Sequence, residues 1–593
     1  MTLCLFAIRV SFVPLETSAP KFFGFAEFLA GLALMVLAWT IADVRYRFRI
    51  RSAPISLQGL TFAIVAAVGV LTLLTDLWRA QSWLVPKVSF VTPALWQALL
   101  AGLYLLTFLI WVIFAFIKPA IFSNWNAKRY AETLFRVIVK GSPTELAVVA
   151  DELMRSAKAI VSQATDRYRL QRLLPDLARN KRKPLKVEAF ANDILSLIAD
   201  KRFCRAIVES SPGTAWAFFG EMGVLKKYGI QIQTFASNIV NAALENKNSF
   251  IYHETAGYES GLIGHYKPLC QAIFSNYEMV ESIDTLLDTD FGNRSKWDSE
   301  QWEAYCRVVL MTFRDYIERG NSDHSYVLYR ALKNIENAPF DLYRINGMAN
   351  SNWNDDVLAR LRVVVEFVKE AVDILEKKCV PAELRRRSRR RALNHSESMY
   401  DHIANLTYEI IFEASAVSSP RDLCWETQHN WLWSQLFNFG NLEGPAGSVI
   451  KSLVCRLLYK DVTEMDRFPN FKGARILGFS LNVLGLERRK EDYFKDSRAL
   501  HKAILTWTRK NFVRLHDYDP RIAEACLVDG MTYDAPNHRI VRTYPLGLGQ
   551  KVAQCGYLNI DPQPIPAENT KQTTRAPMNV RAARGPRHQR RPK

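Results

Sequence analysis

The feature that most constrains this chain is an uncharged apolar run from Ala94 to Ile117. At a helical rise of about 1.5 Å per residue, a run of this length crosses the roughly 30 Å hydrocarbon layer of a bilayer. Two further apolar runs precede it, Phe22–Ile41 and Ile55–Leu74, and no comparable run follows it. The sequence therefore predicts three transmembrane helices within residues 22–117, with the lipid bilayer as a partner.

Basic residues flank the predicted spans unequally, and because Lys and Arg resist translocation they set the orientation. The loop after the first span and the segment after the third carry Arg45, Arg47, Arg49, Arg51, Lys118, Lys128, Arg129 and Arg136. The opposite ends of the spans carry only Arg9, Lys21, Arg79 and Lys87. We therefore expect a multi-pass protein of the plasma (inner) membrane, with residues 1–21 forming an extracytoplasmic N-terminal segment and the large C-terminal region in the cytoplasm.

Small residues recur at every fourth position of the predicted spans. The second and third spans carry the stripes Gly59, Ala63, Ala67 and Ala94, Ala98, Gly102. Helices in lipid associate through small residues because these let two backbones approach closely. The stripes predict a compact cluster of three helices, with contacts either within one chain or between chains.

Helix signals dominate the remainder and predict an all-α fold. Ser142-Pro143-Thr144-Glu145 has the pattern of a capping box with proline at the first helical position. Apolar residues follow at steps of three and four: Leu146, Val149, Leu153, Ala157 and Ile160. This spacing predicts a helix to about Gln163 with one buried face.

The predicted division of the cytoplasmic region follows these signals. We expect a helical domain at 118–380, a second helical domain at 381–530, an irregular extension rich in Pro and Gly at 531–565, and a disordered basic tail at 566–593. Nine scattered cysteines form no CxxC pair. They are typical of reduced, buried thiols in the cytosol rather than of a disulfide framework or a zinc site.

One predicted helix has the seam of a coiled coil. Spacings of three and four alternate through Leu358, Leu361, Val365, Val368, Val372 and Leu375. A partner helix has to cover such a seam. The sequence leaves open whether that helix belongs to the same domain or to a second copy of the chain.

The net charge of +18 is unevenly distributed. Six arginines form one cluster: Arg385, Arg386, Arg387, Arg389, Arg390 and Arg391. Such runs bind anionic lipid or nucleic acid. For a chain already held at a membrane, anionic lipid is the simpler partner, and nucleic acid is the less favoured one.

The densest polar segment lies between two predicted helices, at residues 248–268. Its candidate binding residues are His253, Glu254, Tyr258, Glu259, Ser260, His265 and Lys267. Long polar loops are more often functional than short connectors. Three interpretations stay open: a structural loop, a binding surface, or the catalytic site of a hydrolase.

Metal and cofactor signals are weak. His253, Glu254 and His265 do not have the spacing of an established metal site. His395 and His402 are seven residues apart, which predicts a solvated helix face. The sequence has no phosphate-binding loop, GxGxxG, HExxH or EF-hand pattern. We therefore predict no metal and no cofactor.

The function most consistent with these patterns is a non-enzymatic, membrane-anchored helical module that serves as a scaffold or sensor. It would bind a protein partner or assemble with itself. The alternative is a subunit of an oligomeric channel or transporter, for which Glu27 is the ionisable residue within the predicted hydrocarbon. An enzyme using the 248–268 loop is the less favoured alternative.

Overall fold

The computed structural model describes residues 2–5, 8–14, 21–41, 43–87, 92–167, 186–254, 269–289, 291–294, 296–347, 355–378, 380–381, 397–437, 442–487, 495–544 and 553–561. It is 71% helix and 4% strand, which confirms the all-α class. The described thiols at Cys204, Cys270, Cys306, Cys424 and Cys526 are free and buried, as predicted.

The N-terminal helices are α1 (Phe25–Ile41), α2 (Val44–Arg51), α3 (Leu57–Ala80) and α4 (Pro93–Val112), the last extended by a π-helix at Ile113–Ile117. Among the described residues, two segments are long and apolar enough to cross a membrane, Leu57–Ala80 and Pro93–Ile117. The prediction of three spans is therefore not confirmed. The first predicted span forms α1, whose 17 residues rise only about 25 Å, short of the hydrocarbon thickness.

The apolar helices form their own small core, separate from the main one. Phe28, Met35, Val65, Val68 and Leu100 are its buried members. The predicted small-residue stripes do not make these contacts, since Gly59, Ala63, Ala67 and Gly102 are exposed. Close approach occurs instead at Gly69, where a Cβ atom would lie 2.7 Å from the Phe28 ring, and at Gly31, where it would lie 2.9 Å from the Tyr104 hydroxyl.

A three-stranded antiparallel sheet lies at one end of the apolar helices. Its strands are β1 (Thr2–Leu5), β2 (Ile8–Pro14) and β3 (Leu84–Lys87), with β2 in the centre. Strand β3 follows α3 directly, so the N-terminal residues and the connection between α3 and α4 lie at the same end of these helices.

The first part of the helical body surrounds the capping box. Its helices are α5 (Ala127–Lys140), α6 (Pro143–Met154), α7 (Ala157–Gln163), α8 (Lys186–Leu197), α9 (Lys201–Ser210), α10 (Pro212–Leu225), α11 (Gln233–Glu245), α12 (Phe250–His253), α13 (Leu269–Phe274), α14 (Tyr277–Ile283) and α15 (Phe291–Arg294). Ser142 and Glu145 form the predicted box, and the predicted apolar face is buried. The helix is interrupted at Arg155 and Ser156, where the Ser156 hydroxyl accepts a hydrogen bond from the Phe122 amide.

The second part begins with α16 (Ser299–Glu318), α17 (Tyr326–Ile335), a 3₁₀ turn (Leu342–Ile345), α18 (Asp356–Glu376) and α19 (Met399–Ala414). It continues with α20 (Arg421–Trp425), a π-helix (Glu426–Trp433), α21 (Ser434–Phe437), α22 (Pro445–Glu464), α23 (Phe471–Leu484), α24 (Arg498–Tyr518) and α25 (Pro520–Glu524). Helix α18 packs on α16 before the predicted domain boundary and on α19 and α22 after it. One continuous core therefore joins both sides of residue 380.

The coiled-coil seam lies on α18, and all six of its residues are buried within this chain. Helices α16, α19 and α22 cover it. The first of the two interpretations, a partner helix in the same chain, accounts for the pattern. A coiled coil between copies is not confirmed.

The predicted irregular extension at 531–565 is wrong where the structure describes it. Its residues form a second antiparallel sheet of β4 (Met531–Asp534), β5 (Arg539–Thr543) and β6 (Cys555–Asn559). Buried and less buried residues alternate along β5 and β6, as in a sheet with one face on a core. Each strand has five residues or fewer, so the surrounding Pro and Gly obscured this alternation. Residues 566–593 lie outside the described structure.

Candidate functional site

The structure describes only two of the residues predicted in the polar loop. His253 ends α12 and is exposed. The Glu254 carboxylate accepts a hydrogen bond of 2.6 Å from the Cys270 amide, which ties it to the first turn of α13. Glu254 therefore has a structural contact. The other predicted residues, Tyr258, Glu259, Ser260, His265, Lys267 and the arginine cluster at 385–391, lie outside the described residues.

A buried ion pair joins the apolar helices to the helical body. Arg49, on α2, donates to both carboxylate oxygens of Glu152, on α6, at 2.8 and 2.6 Å. The two side chains are only 7% and 3% exposed. A bidentate pair of this kind is directional as well as strong. The hydrogen bonds to Glu152 raise the pKa of Arg49, so the guanidinium is charged at every ordinary pH.

The same guanidinium also binds the end of α4. Its third nitrogen donates at 2.9 Å to the carbonyl of Ala115, in the π-helix that terminates this apolar segment. The last carbonyls of a helix lack partners within the helix and carry partial negative charge, so they favour a cation. Arg49 therefore holds the end of the α4 segment and helix α6 of the body at one point.

Neighbouring contacts reinforce this junction. Asn126, which precedes α5, donates to the carbonyl of Ser52 at 2.9 Å. Arg45 pairs with Asp151 at 2.9 Å. Phe48 belongs to the core of the body, with its ring 5.5 Å from that of Tyr130. The short helix α2 is thus part of the body, although the chain enters it directly from α1.

A second polar site brings two histidines together. His324 precedes α17, and His402 lies in the second turn of α19. Nδ1 of His324 is 2.8 Å from Nε2 of His402, so one proton is shared in a hydrogen bond between the rings. Glu397 lies beside them, with a carboxylate oxygen 3.8 Å from Nδ1 of His402.

His402 does not lie on a solvated face, as its sequence pattern predicted, but is 3% exposed. The rings of His324 and Tyr329 contact it at centroid distances of 5.0 Å. Burial lowers the pKa of His402, so the ring is neutral at pH 7. The partner of His402 is therefore His324. His395, predicted to share a solvated helix face with His402, lies outside the described residues.

The third site is a buried polar network that attaches the C-terminal sheet. Arg542, on β5, pairs with Asp529 and donates to the carbonyl and side-chain oxygens of Asn482 at 2.8 and 2.6 Å. Asn482 donates to Gln428, in the π-helix at 426–433, at 2.9 Å. All four side chains are buried. A buried network of this kind is stable only while every member keeps its partners.

Sequence reasoning missed all three sites because their members are distant along the chain. Arg49 and Glu152 are 103 residues apart, and His324 and His402 are 78 apart. The arginines of α2 were recognised only as an orientation signal. Their spacing of four, at Arg45 and Arg49, was a usable signal that two of them share one helix face.

Comparison with known proteins gives no further assignment. No family model, curated protein or solved structure matches the chain.

Proposed function

We propose that this protein is a non-enzymatic, membrane-anchored interaction module, in which apolar helices hold a large helical body at the cytoplasmic face of the plasma (inner) membrane. Two segments with the length and hydropathy of spans support the anchor. Most of their surface is exposed, with only 33% and 22% of their apolar windows buried. A core helix of a soluble protein would be covered by protein, whereas the exposed apolar faces of these two segments are suited to contact with lipid.

The observation that carries the proposal is the junction at Arg49. A flexible linker would leave the body free to move relative to its anchor. Here a buried ion pair to Glu152 and a hydrogen bond to Ala115 fix α2, α4 and α6 at one point. We infer that the body is presented in one orientation at the membrane surface, as a scaffold for a protein partner or a second copy requires.

The positions of the connecting elements support the proposed orientation. The arginine-rich α2 contacts the body at α6, while β1, β2 and β3 lie at the other end of the apolar helices. Because basic segments remain in the cytoplasm, the body would be cytoplasmic and the first sheet outside.

The arrangement does not favour the channel alternative. Glu27 accepts a hydrogen bond of 2.9 Å from the amide of Gly24, so its carboxylate helps to cap the N-terminus of α1. The described groove between α1 and α3 is lined by apolar residues, among them Phe28, Phe62 and Val65. An ion path would need polar groups there.

Natural cysteines provide the orientation test. Cys555 has an exposed thiol, and the C4S substitution removes the cysteine of the N-terminal segment. In this C4S protein, a membrane-impermeant maleimide should label inverted vesicles and leave intact cells unlabelled. The C4S/C555S protein is the matched control and should lose the Cys555 signal. Labelling of Cys555 in intact cells would contradict the proposed orientation. Release of the protein from membranes by alkaline washing would contradict the proposed membrane anchor.

Cross-linking in intact membranes tests the interaction role. We expect lysine-reactive reagents to produce adducts of defined mass, either a dimer of this chain or a complex with one protein. Only the monomer at every reagent concentration would contradict an interaction module while leaving the anchor intact.

A further inference from the structure

The histidine pair has a third ligand group within reach. One ligand atom from each of His324, Glu397 and His402 lies within 4.8 Å of the other two. Of the three residues, His402 is buried and the others are exposed. The cluster therefore has a fixed buried member and an open side facing solvent.

Backbone contacts fix the two segments that supply these groups. The amide of Met399 donates to the carbonyl of Ser322 at 2.9 Å, and Asp323 and Ser398 form an antiparallel bridge. Ser398 and Asp401 also form a capping box at the start of α19. The approach of the histidines is thus determined by backbone as well as by their own hydrogen bond.

From this geometry we propose that His324, Glu397 and His402 form a binding site for a divalent transition-metal ion, of which zinc is the best match. Two imidazoles and one carboxylate, with water in the fourth position, are a known donor set for tetrahedral zinc. Magnesium and calcium bind mainly to oxygen ligands, so this nitrogen-rich set disfavours them. The fourth position faces the exposed side of the cluster.

Binding requires only a small change at the histidine pair. Nitrogens about 2.0–2.1 Å from a tetrahedral ion are separated by roughly 3.3 Å. The present separation is 2.8 Å, so the rings would part by about 0.5 Å as the ion takes the place of the shared proton, which moves to the other nitrogen of its own ring or to solvent. The exposed ring of His324 can turn outward, while His402 stays in place.

Both negatively and positively charged side chains lie near the histidine pair. Glu397 and Asp401 contribute negative charge near His402, and Lys333 of α17 contributes positive charge. Lys333 is partly engaged elsewhere, since its ammonium bonds Glu336 at 2.9 Å. The ion would join the segment before α17 to the start of α19 and stabilise their contact.

Zinc binding to the full chain in detergent micelles tests this site. Equilibrium dialysis followed by metal analysis should give one zinc per chain at micromolar free zinc. H324Q should weaken binding at least 100-fold, and E397Q about 10- to 100-fold. The matched control is H538N, which removes an exposed imidazole from the turn between β4 and β5 and should bind zinc as the natural chain does.

Folding and ligand identity are checked separately. Because His324 is exposed, H324Q should keep the helical content of the natural chain, so lost binding reports on the ligand. Zinc-edge X-ray absorption should show nitrogen and oxygen ligands at about 2.0–2.1 Å. No bound zinc at micromolar concentration, or equal binding by H324Q and H538N, would overturn the proposal.

Discussion

At the residue scale, Arg49 is the side chain that joins the apolar helices to the helical body. Its replacement by alanine leaves the buried Glu152 carboxylate with only the longer contact to Arg45, at 3.4 Å. Breaking a buried pair from one side costs about 3–5 kcal/mol. We expect R49A to lower the free energy of unfolding by this amount, measured by denaturant titration in micelles.

Two variants control for this effect. K128A removes an exposed cation from a loose pair with Glu132 and should change stability by less than about 0.5 kcal/mol. The double variant R49L/E152L removes both charges and should recover most of the loss, since apolar replacements of buried pairs are often neutral. An R49A protein as stable as the K128A protein would contradict the stabilising role of Arg49 at the junction.

Glu413 should make the free energy of unfolding of the body depend on pH. Burial, and then the charge of Glu409, raises its pKa from 4.5 to about 7, while Arg475 opposes the shift and Asp341 adds to it. Because the folded state favours the protonated acid, its contribution is complete below pH 4.5 and is lost as pH rises through 7. The loss should be on the order of 2 kcal/mol.

The measurement is the free energy of unfolding at intervals between pH 4.5 and 8. E413Q should remove this part of the pH dependence. E318Q, at an exposed position on α16, should retain the natural profile. If E413Q and the natural chain have parallel profiles, the raised pKa is wrong.

At the scale of elements, α18 is the centre of the body and its seam should be sensitive to cavities. Leu361 is fully buried against neighbouring helices of the same chain. L361A should cost about 2–5 kcal/mol in unfolding free energy, measured by denaturant titration, because it leaves a cavity.

The same variant separates the two interpretations of the seam. If the seam serves only the body, L361A should leave the oligomeric mass in micelles unchanged. E366A, on the exposed side of α18, is the control and should change neither property. A change of oligomeric state with L361A would restore the hypothesis of contact between copies.

Elements were predictable where their signals are local. The capping box at Ser142 and Glu145 and the face of Leu146 and Val149 lie within two turns, so the residues themselves specify them. The sheet at 531–559 could not be predicted, because strands of four or five residues contain too few alternations of apolar and polar residues to be recognised. The pair of His324 and His402 depends on a contact between distant segments, which no periodicity encodes.

At the scale of the whole molecule, one core extends from Phe48 near the apolar helices to Ile560 near the end of the described chain. Removing residues 531–593 deletes β4, β5 and β6 and with them Arg542. Asp529 and Asn482 would then lose a buried partner. We expect this truncated protein to unfold at a markedly lower temperature, measured by circular dichroism in micelles.

The matched control removes only residues 566–593, the predicted basic tail. Its melting temperature should equal that of the full chain. Equal melting temperatures for both truncations would show that the C-terminal sheet does not complete the core.

The position of Arg542 also has a consequence during synthesis. Arg542 follows Asp529 by 13 residues and Asn482 by 60, so both of its partners are synthesised before it. A chain interrupted between Asp529 and Arg542 would therefore leave Asp529 and Asn482 without the arginine that binds both of them. Cellular proteases would meet this open surface in such a chain and not in one that contains Arg542.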